Sequence, residues 1–130
     1  MIAKKDNFIL CLANIFYSVI MADGKAEVEE LNKTIRISER LWLQYEQDDI
    51  RLQEEDLRSM FKQIKVLYNQ KADSHSILKD VKSILESNAG LFNNESKLLI
   101  LKSAHAIAAS FARKNKAELI VLNQISEILK

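Results

Sequence analysis

The chain has no proline and only two glycines in 130 residues. Average usage would supply roughly nine glycines and six prolines. Hairpins, sandwiches and barrels draw on those residues for their turns, so their scarcity excludes a β-rich fold and points to an all-α one. Cysteine is nearly absent as well. Cys11 stands alone, which rules out an intramolecular disulfide. It lies in the most apolar stretch, where a thiol is inert packing material. Net charge is only +1, without the one-sided basic excess of a nucleic-acid binder. Lys62, Lys65, Lys79, Lys82, Lys97 and Lys102 have no aromatics interleaved and read as a solvated face. A glycine-rich phosphate loop is missing too. No run reaches the ~20 apolar residues of a membrane-spanning helix. Lys4 and Lys5 before the apolar run 8–22 have the look of a secretory leader. Asp6, Asn7 and Asn14 break that run, however, and Ile20 stands three before Ala22, where cleavage wants a small residue. The expectation is a cytoplasmic protein.

What is present is an internal repeat. Gly24-Lys25-Ala26-Glu27 and Leu31-Asn32 align with Asn115-Lys116-Ala117-Glu118 and Leu122-Asn123, 91 positions later. Each copy follows an apolar stretch of the same phase, Phe8–Ala22 and Leu99–Arg113. A repeat constrains the whole architecture. It predicts a single all-α domain over residues 1–130, a bundle of six to seven helices. Within it, units 8–36 and 99–127 would be helix–turn–helix copies related by a pseudo-twofold. Charge is divided along the chain: residues 23–56 carry 11 acids and 5 bases, and residues 57–130 carry 6 acids and 12 bases.

Asp6 can cap a first helix running to about Ala22. Its clearly polar positions are Asn7, Asn14 and Ser18, a stripe so narrow that the helix is expected to be central. Asp23-Gly24 ends it, Gly24 taking the left-handed conformation. Asn115 is the tolerant residue at the matching place. A second helix from near Ala26 turns Val28, Leu31, Ile35, Ser38, Leu41, Trp42 and Tyr45 inward for about five turns. Residues 46–56 are read as an acidic connection. Leu57, Met60, Phe61, Ile64, Leu67 and Tyr68 mark a third helix. Asp73 or Ser74 caps a fourth, ended by Asn88-Ala89-Gly90, and Asn93 or Asn94 caps a fifth. Alanines at 104, 106, 108 and 109 make the fifth a second central helix, open to close approach. The sixth spans 116–130. His105 matches Asn14 in the repeat, and a buried polar contact between the two copies is expected.

The chemistry concentrates at Ala22-Asp23-Gly24 and Glu30. Asp-Gly-x5-Glu is the second half of an EF-hand calcium loop, but Val19 and Met21 occupy the places of its earlier acidic ligands, which excludes an EF-hand. A different site for a divalent cation, calcium or magnesium, remains, built from Asp23 and Glu30 with Glu27 or Glu29. The plainer reading is that Glu27, Glu29 and Glu30 sit in a first helical turn, where the dipole favours carboxylates. Asp73-Ser74-His75-Ser76 puts the three residue types of a triad side by side, but triads are assembled in space, and this run reads as a helix cap.

An apolar helix ending in Met21-Ala22-Asp23-Gly24, followed by Glu30, resembles the tellurite-resistance TerB-like family, as does the two-copy layout. The resemblance implies an all-helical domain acting in stress responses or as a module of larger proteins. It also implies divalent-metal binding by acids after each central helix. Asp23 and Glu30 would be the acidic pair of the first copy. The second copy departs, with Lys114 and Val121 in their places, and a lysine amine can stand in for a cation. The function expected is a non-enzymatic, stress-associated or partner-binding module with weak or vestigial cation binding. One alternative is a structural protein that self-associates as a homo-oligomer through its opposite charge lobes. A metal-dependent hydrolase is the rival from another class, and it would need convergent ligands and a nucleophile.

Overall fold

Helix α1, Lys4–Ile20, is apolar on nearly every side, and every residue from Cys11 to Ile20 is buried. A helix with no face for water must be surrounded. In the computed structural model, which describes residues 4–111 and 116–130, the remaining helices pack around it. They are α2 (Val28–Trp42), α3 (Glu54–Gln70), α4 (Ser74–Ser87), α5 (Asn94–Ala109) and α6 (Lys116–Ile128). Helices α3 and α4 make the most extensive contacts with α1, and α5, α6 and α2 complete the ring. The expectation of an all-α bundle holds, with six helices among the described residues.

The polar stripe of α1 is itself covered. Ser18 donates to Ile15 O at 2.6 Å, and Ser18 O accepts from Ser74 Oγ of α4 at 3.0 Å. Asn14 Oδ1 accepts from Gln63 Nε2 of α3 at 3.5 Å. Asn7 Nδ2 reaches Asn88 Oδ1, just past α4, at 3.4 Å. These side chains give α3 and α4 a polar register against an otherwise apolar cylinder.

Local chemistry sets the helix ends. Gly24 and Gly90 take φ +78° and +83°, which L-residues avoid. Asp73 caps α4 by accepting from Ser76 N at 3.0 Å, and Asn93 caps α5 by accepting from Ser96 N at 2.8 Å. Helix α2 is shorter than its apolar spacing predicts. It begins at Val28, which is 60% exposed, and stops at Trp42. Beyond it the chain forms a small antiparallel hairpin, β1 (Glu46–Gln47) and β2 (Ile50–Arg51), within the segment read as a plain connection. Gln44 and Asp48 supply the positive φ angles (+66° and +54°) without glycine. Buried Gln47 pins the hairpin to the α4–α5 link, donating to Leu91 O at 2.8 Å and accepting from Asn93 N at 3.2 Å.

Trp42, wholly buried, closes the α2 end of the core. Its ring packs near Phe8, Phe16 and Tyr45, and Phe8 meets Phe92 edge-on at 4.9 Å. The indole Nε1 donates to Ser103 Oγ of α5 at 2.8 Å, joining α2 to α5 through the interior.

Candidate functional site

The acidic turn follows from the end of α1. The last apolar residues, Val19 to Met21, are buried, and Gly24 N donates to Met21 O at 2.9 Å to close the turn. Asp23 Oδ1 accepts from Lys25 N at 3.0 Å, a carboxylate folded back on its own backbone. Glu27 is the N-cap of α2 and forms a capping box with Glu30, whose Oε1 accepts from Glu27 N at 3.0 Å. Glu29 faces Lys33 across one turn at 3.9 Å. The structure thus places Asp23, Glu27 and Glu30 in one short stretch, each engaged in local backbone chemistry. Among the described residues, no group of three or more His, Cys, Asp and Glu side chains is gathered closely enough to hold a metal ion.

A cleft of about 420 Å³ lies beside this turn. Met21, Gly24, Lys25, Ala26, Tyr68, Asn69 and Lys71 line it. Its charged residues are two lysines, so its field disfavours a cation. The Tyr68 hydroxyl donates to Ala26 O at 3.3 Å, tying the turn to α3.

The segment aligned with this turn in the expected repeat differs from it in structure as well as sequence. Lys114 and Asn115 lie outside the described residues, so the expected stand-in amine and the matching turn do too. Lys116 is already helical in α6, whereas α2 begins only at Val28, three positions later in the expected alignment. Glu118, in the first turn of α6, is buried, while its aligned residue Glu27 is an exposed N-cap. Val121, the counterpart of Glu30, is fully buried in the core. A carboxylate there would be desolvated, so restoring the acid of the first copy at this position is not a neutral change.

His105 corrects an expectation. It is exposed on the outer face of α5 and makes no buried contact with Asn14. Ile100, Ser103, Ala104 and Ile107 occupy the inward face, and at about 100° per residue His105 is turned away from them. Asn14 is buried as expected, but its partner is Gln63. The helix α5 is accordingly half-covered, not central like α1. In the Asp73–Ser76 run, Asp73 caps α4, Ser74 donates to Ser18 O and His75 Nδ1 meets Gln124 Oε1 at 3.0 Å, so the three side chains serve separate contacts.

Two features have no signal in the sequence. Lys33 Nζ donates to Ser110 O at 3.1 Å, setting a cation on the C-terminus of α5, where the dipole welcomes it. The other is an open groove between α5 and α6 bounded by His105, Ala108, Ala109, Lys116, Glu118, Leu119 and Leu122. No helix of the described residues is long and apolar enough to cross a membrane. No protein-family model matches the chain, and neither does any curated protein or solved structure.

Proposed function

We infer that the chain is a non-enzymatic interaction module of TerB-like type, in which the turn bearing Asp23 and Glu30 retains weak affinity for calcium or magnesium. The observation that carries this reading is how those carboxylates are used. Asp23 Oδ1 and Glu30 Oε1 each hold a backbone N–H of the turn. Cation binding must compete with those bonds and with the field of Lys25 and Lys71. Hard cations need several oxygens at once, and this turn supplies few. The resemblance of Met21-Ala22-Asp23-Gly24 and Glu30 to the TerB-like pattern supports a stress-associated role and a two-copy ancestry.

Calorimetric titration of calcium and magnesium tests the reading on wild type and on Asp23→Asn/Glu30→Gln. Asparagine and glutamine keep the turn and cap acceptors, so the variant separates charge from fold. The wild type is expected to bind with a dissociation constant on the order of 10⁻³ M, the weak end of the calcium range, and the variant to show no binding. Micromolar affinity, or unchanged binding in the variant, refutes it. A second reading, self-association through opposite charge lobes, is favoured by the acidic 23–56 and basic 57–130 segments. It predicts an oligomer in dilute buffer that light scattering sees dissolve as salt is added.

A further inference from the structure

Helices α2 and α3 pack side by side and run antiparallel. Near one end the Tyr68 hydroxyl of α3 donates to Ala26 O, just ahead of α2. Near the other, Glu39 and Leu43 border the same hollow as Leu57, Arg58 and Phe61. Each helix turns its apolar residues into the core, so the polar positions left over on the two form one wet face. On α3 that face carries Arg58, Lys62 and Lys65, whose spacings of four and three stack them along one side of the helix. On α2 it carries Arg36 and Arg40, one turn apart. All five are exposed. Residues 57–72 contain no acid, and neither do residues 31–38 across from them. Glu39 is the exposed acid within this band, and Glu29, Glu54 and Glu55 lie towards its two ends. The net charge of +1 conceals the band, because the chain's acids are placed outside it.

The molecule does little to neutralise these cations. Among the described residues Arg36, Arg40, Lys62 and Lys65 are in no ion pair. Arg58 has Glu54 at 4.0 Å, with both side chains largely exposed, which is a loose pair. The band also has charge without an apolar anchor. Among the described residues Val66, 46% exposed, is the one large apolar side chain that α3 opens to water, and Val28 and Leu43 stand at the two ends of α2. A protein partner is held by buried aromatic and aliphatic anchors, and a membrane surface by an apolar helix face. A phosphate backbone needs cations and hydrogen-bond donors, and exposed Asn32, Ser59 and Asn69 add donors to the five bases. Duplex nucleic acid carries a charge per ~1.7 Å of its axis, so the ~10 Å from Arg58 to Lys65 spans about six phosphates. We propose that the α2–α3 face binds the phosphate backbone of duplex nucleic acid without reading its sequence. This rests on the interaction-module reading, for which it names the partner, and requires no cation at Asp23 and Glu30.

The probe is a fluorescein-labelled DNA duplex of about 20 base pairs, in two unrelated sequences. Anisotropy is read against the full chain in chelator, so a failed cation titration at Asp23 leaves this result standing, and the reverse holds too. Both duplexes are expected to bind alike. Raising salt from about 50 to 200 mM should weaken binding on the order of 10²-fold, the slope for about four released counterions. Lys62→Gln/Lys65→Gln, at two exposed sites, should lower that slope by about two and weaken binding about tenfold or more at low salt. Lys79→Gln/Lys82→Gln on α4 removes the same net charge and should leave binding unchanged. No duplex binding at low salt, or an equal loss in the α4 variant, overturns the proposal. Poly-glutamate that binds the face while the duplex does not also overturns it, and would make the partner an acidic protein and keep the interaction module. Attachment to phosphatidylserine vesicles that depends on Lys62 and Lys65, with no duplex bound, would make it a membrane surface.

Discussion

Replacing Trp42 by phenylalanine measures how firmly α5 is held to the rest of the bundle. The indole is 0% exposed, and its Nε1 donates to Ser103 Oγ at 2.8 Å. Ser103 Oγ in turn donates to Leu99 O at 2.7 Å. Phenylalanine keeps an aromatic ring among Phe8, Phe16 and Tyr45 but is smaller by about 40 Å³, worth ~1 kcal/mol at the usual cost of buried cavity. The lost hydrogen bond adds ~1 kcal/mol, so Trp42→Phe is expected to destabilise by ~2 kcal/mol. Ser103→Ala leaves the buried indole N–H without its acceptor, a cost of about 1–3 kcal/mol. In the double variant neither partner is orphaned, so the two losses should overlap by ~1 kcal/mol. Urea unfolding followed by far-ultraviolet circular dichroism reads all four proteins. Trp42 is the only tryptophan, so its emission gives a second readout for wild type and Ser103→Ala. Additive single effects would show that the indole–hydroxyl bond contributes nothing. A cost below ~0.5 kcal/mol for Trp42→Phe would place the ring outside the core.

Three further outcomes can be checked. Calcium and magnesium titrations should show only weak binding that depends on Asp23 and Glu30, because both carboxylates already hold backbone N–H groups. Backbone handedness gives a pair of opposite signs. A Cβ at Gly24 meets nothing within 4 Å, so Gly24→Ala should cost only its strain at φ +78°, ~1 kcal/mol, whereas Lys71→Gly, at φ +52°, should stabilise; thermal melts should move a few degrees in opposite directions. Burial pushes the Cys11 thiol up from its ordinary 9.0 to about 12, and burial, with the nearby charge of Asp73, pushes the Tyr17 phenol from 10.0 to about 12. A raised value means the folded state keeps its proton where the unfolded chain loses it. The stability these groups lend is therefore intact below pH 9 and falls as pH climbs towards about 12. Urea midpoints should decline across that window, and a thiol reagent should label Cys11 only on unfolding.

Features decided within one turn of chain are legible in the sequence. Asp73 and Asn93 cap because a side-chain oxygen reaches a backbone N–H three residues on, and Gly24 turns because its neighbours demand a positive φ. The centrality of α1 is legible because its polar stripe is too narrow to face water. What escapes depends on partners distant in sequence. The hairpin at 46–51 is held by Gln47 against Leu91 and Asn93, and its left-handed residues are Gln44 and Asp48, whose side chains do not advertise a turn as glycine does. The acids of the candidate site lie together in the turn where their spacing puts them. The spacing of Glu27 and Glu30, though, is shared by a ligand pair and a capping box, and only the 3.0 Å bond between Glu30 Oε1 and Glu27 N distinguishes the second use.

Helix α5 is the most instructive mismatch. Its alanines read as a second central helix, and the chain leaves one side of it open. Helix α2 covers the side of Ser103, through Trp42, and α1 and α6 cover more, but Leu98, His105 and Ala109 are left facing water. Burying apolar surface lowers free energy by roughly 25 cal/mol per Å², and nothing in a monomer's own stability rewards keeping such residues outside. Polar replacements at Leu98 and Leu119 should therefore leave the fold intact, which makes them suitable positions for separating folding from recognition. A urea midpoint unchanged in both variants would show that these side chains contribute nothing to the fold. A midpoint that falls would show that the open face serves the fold.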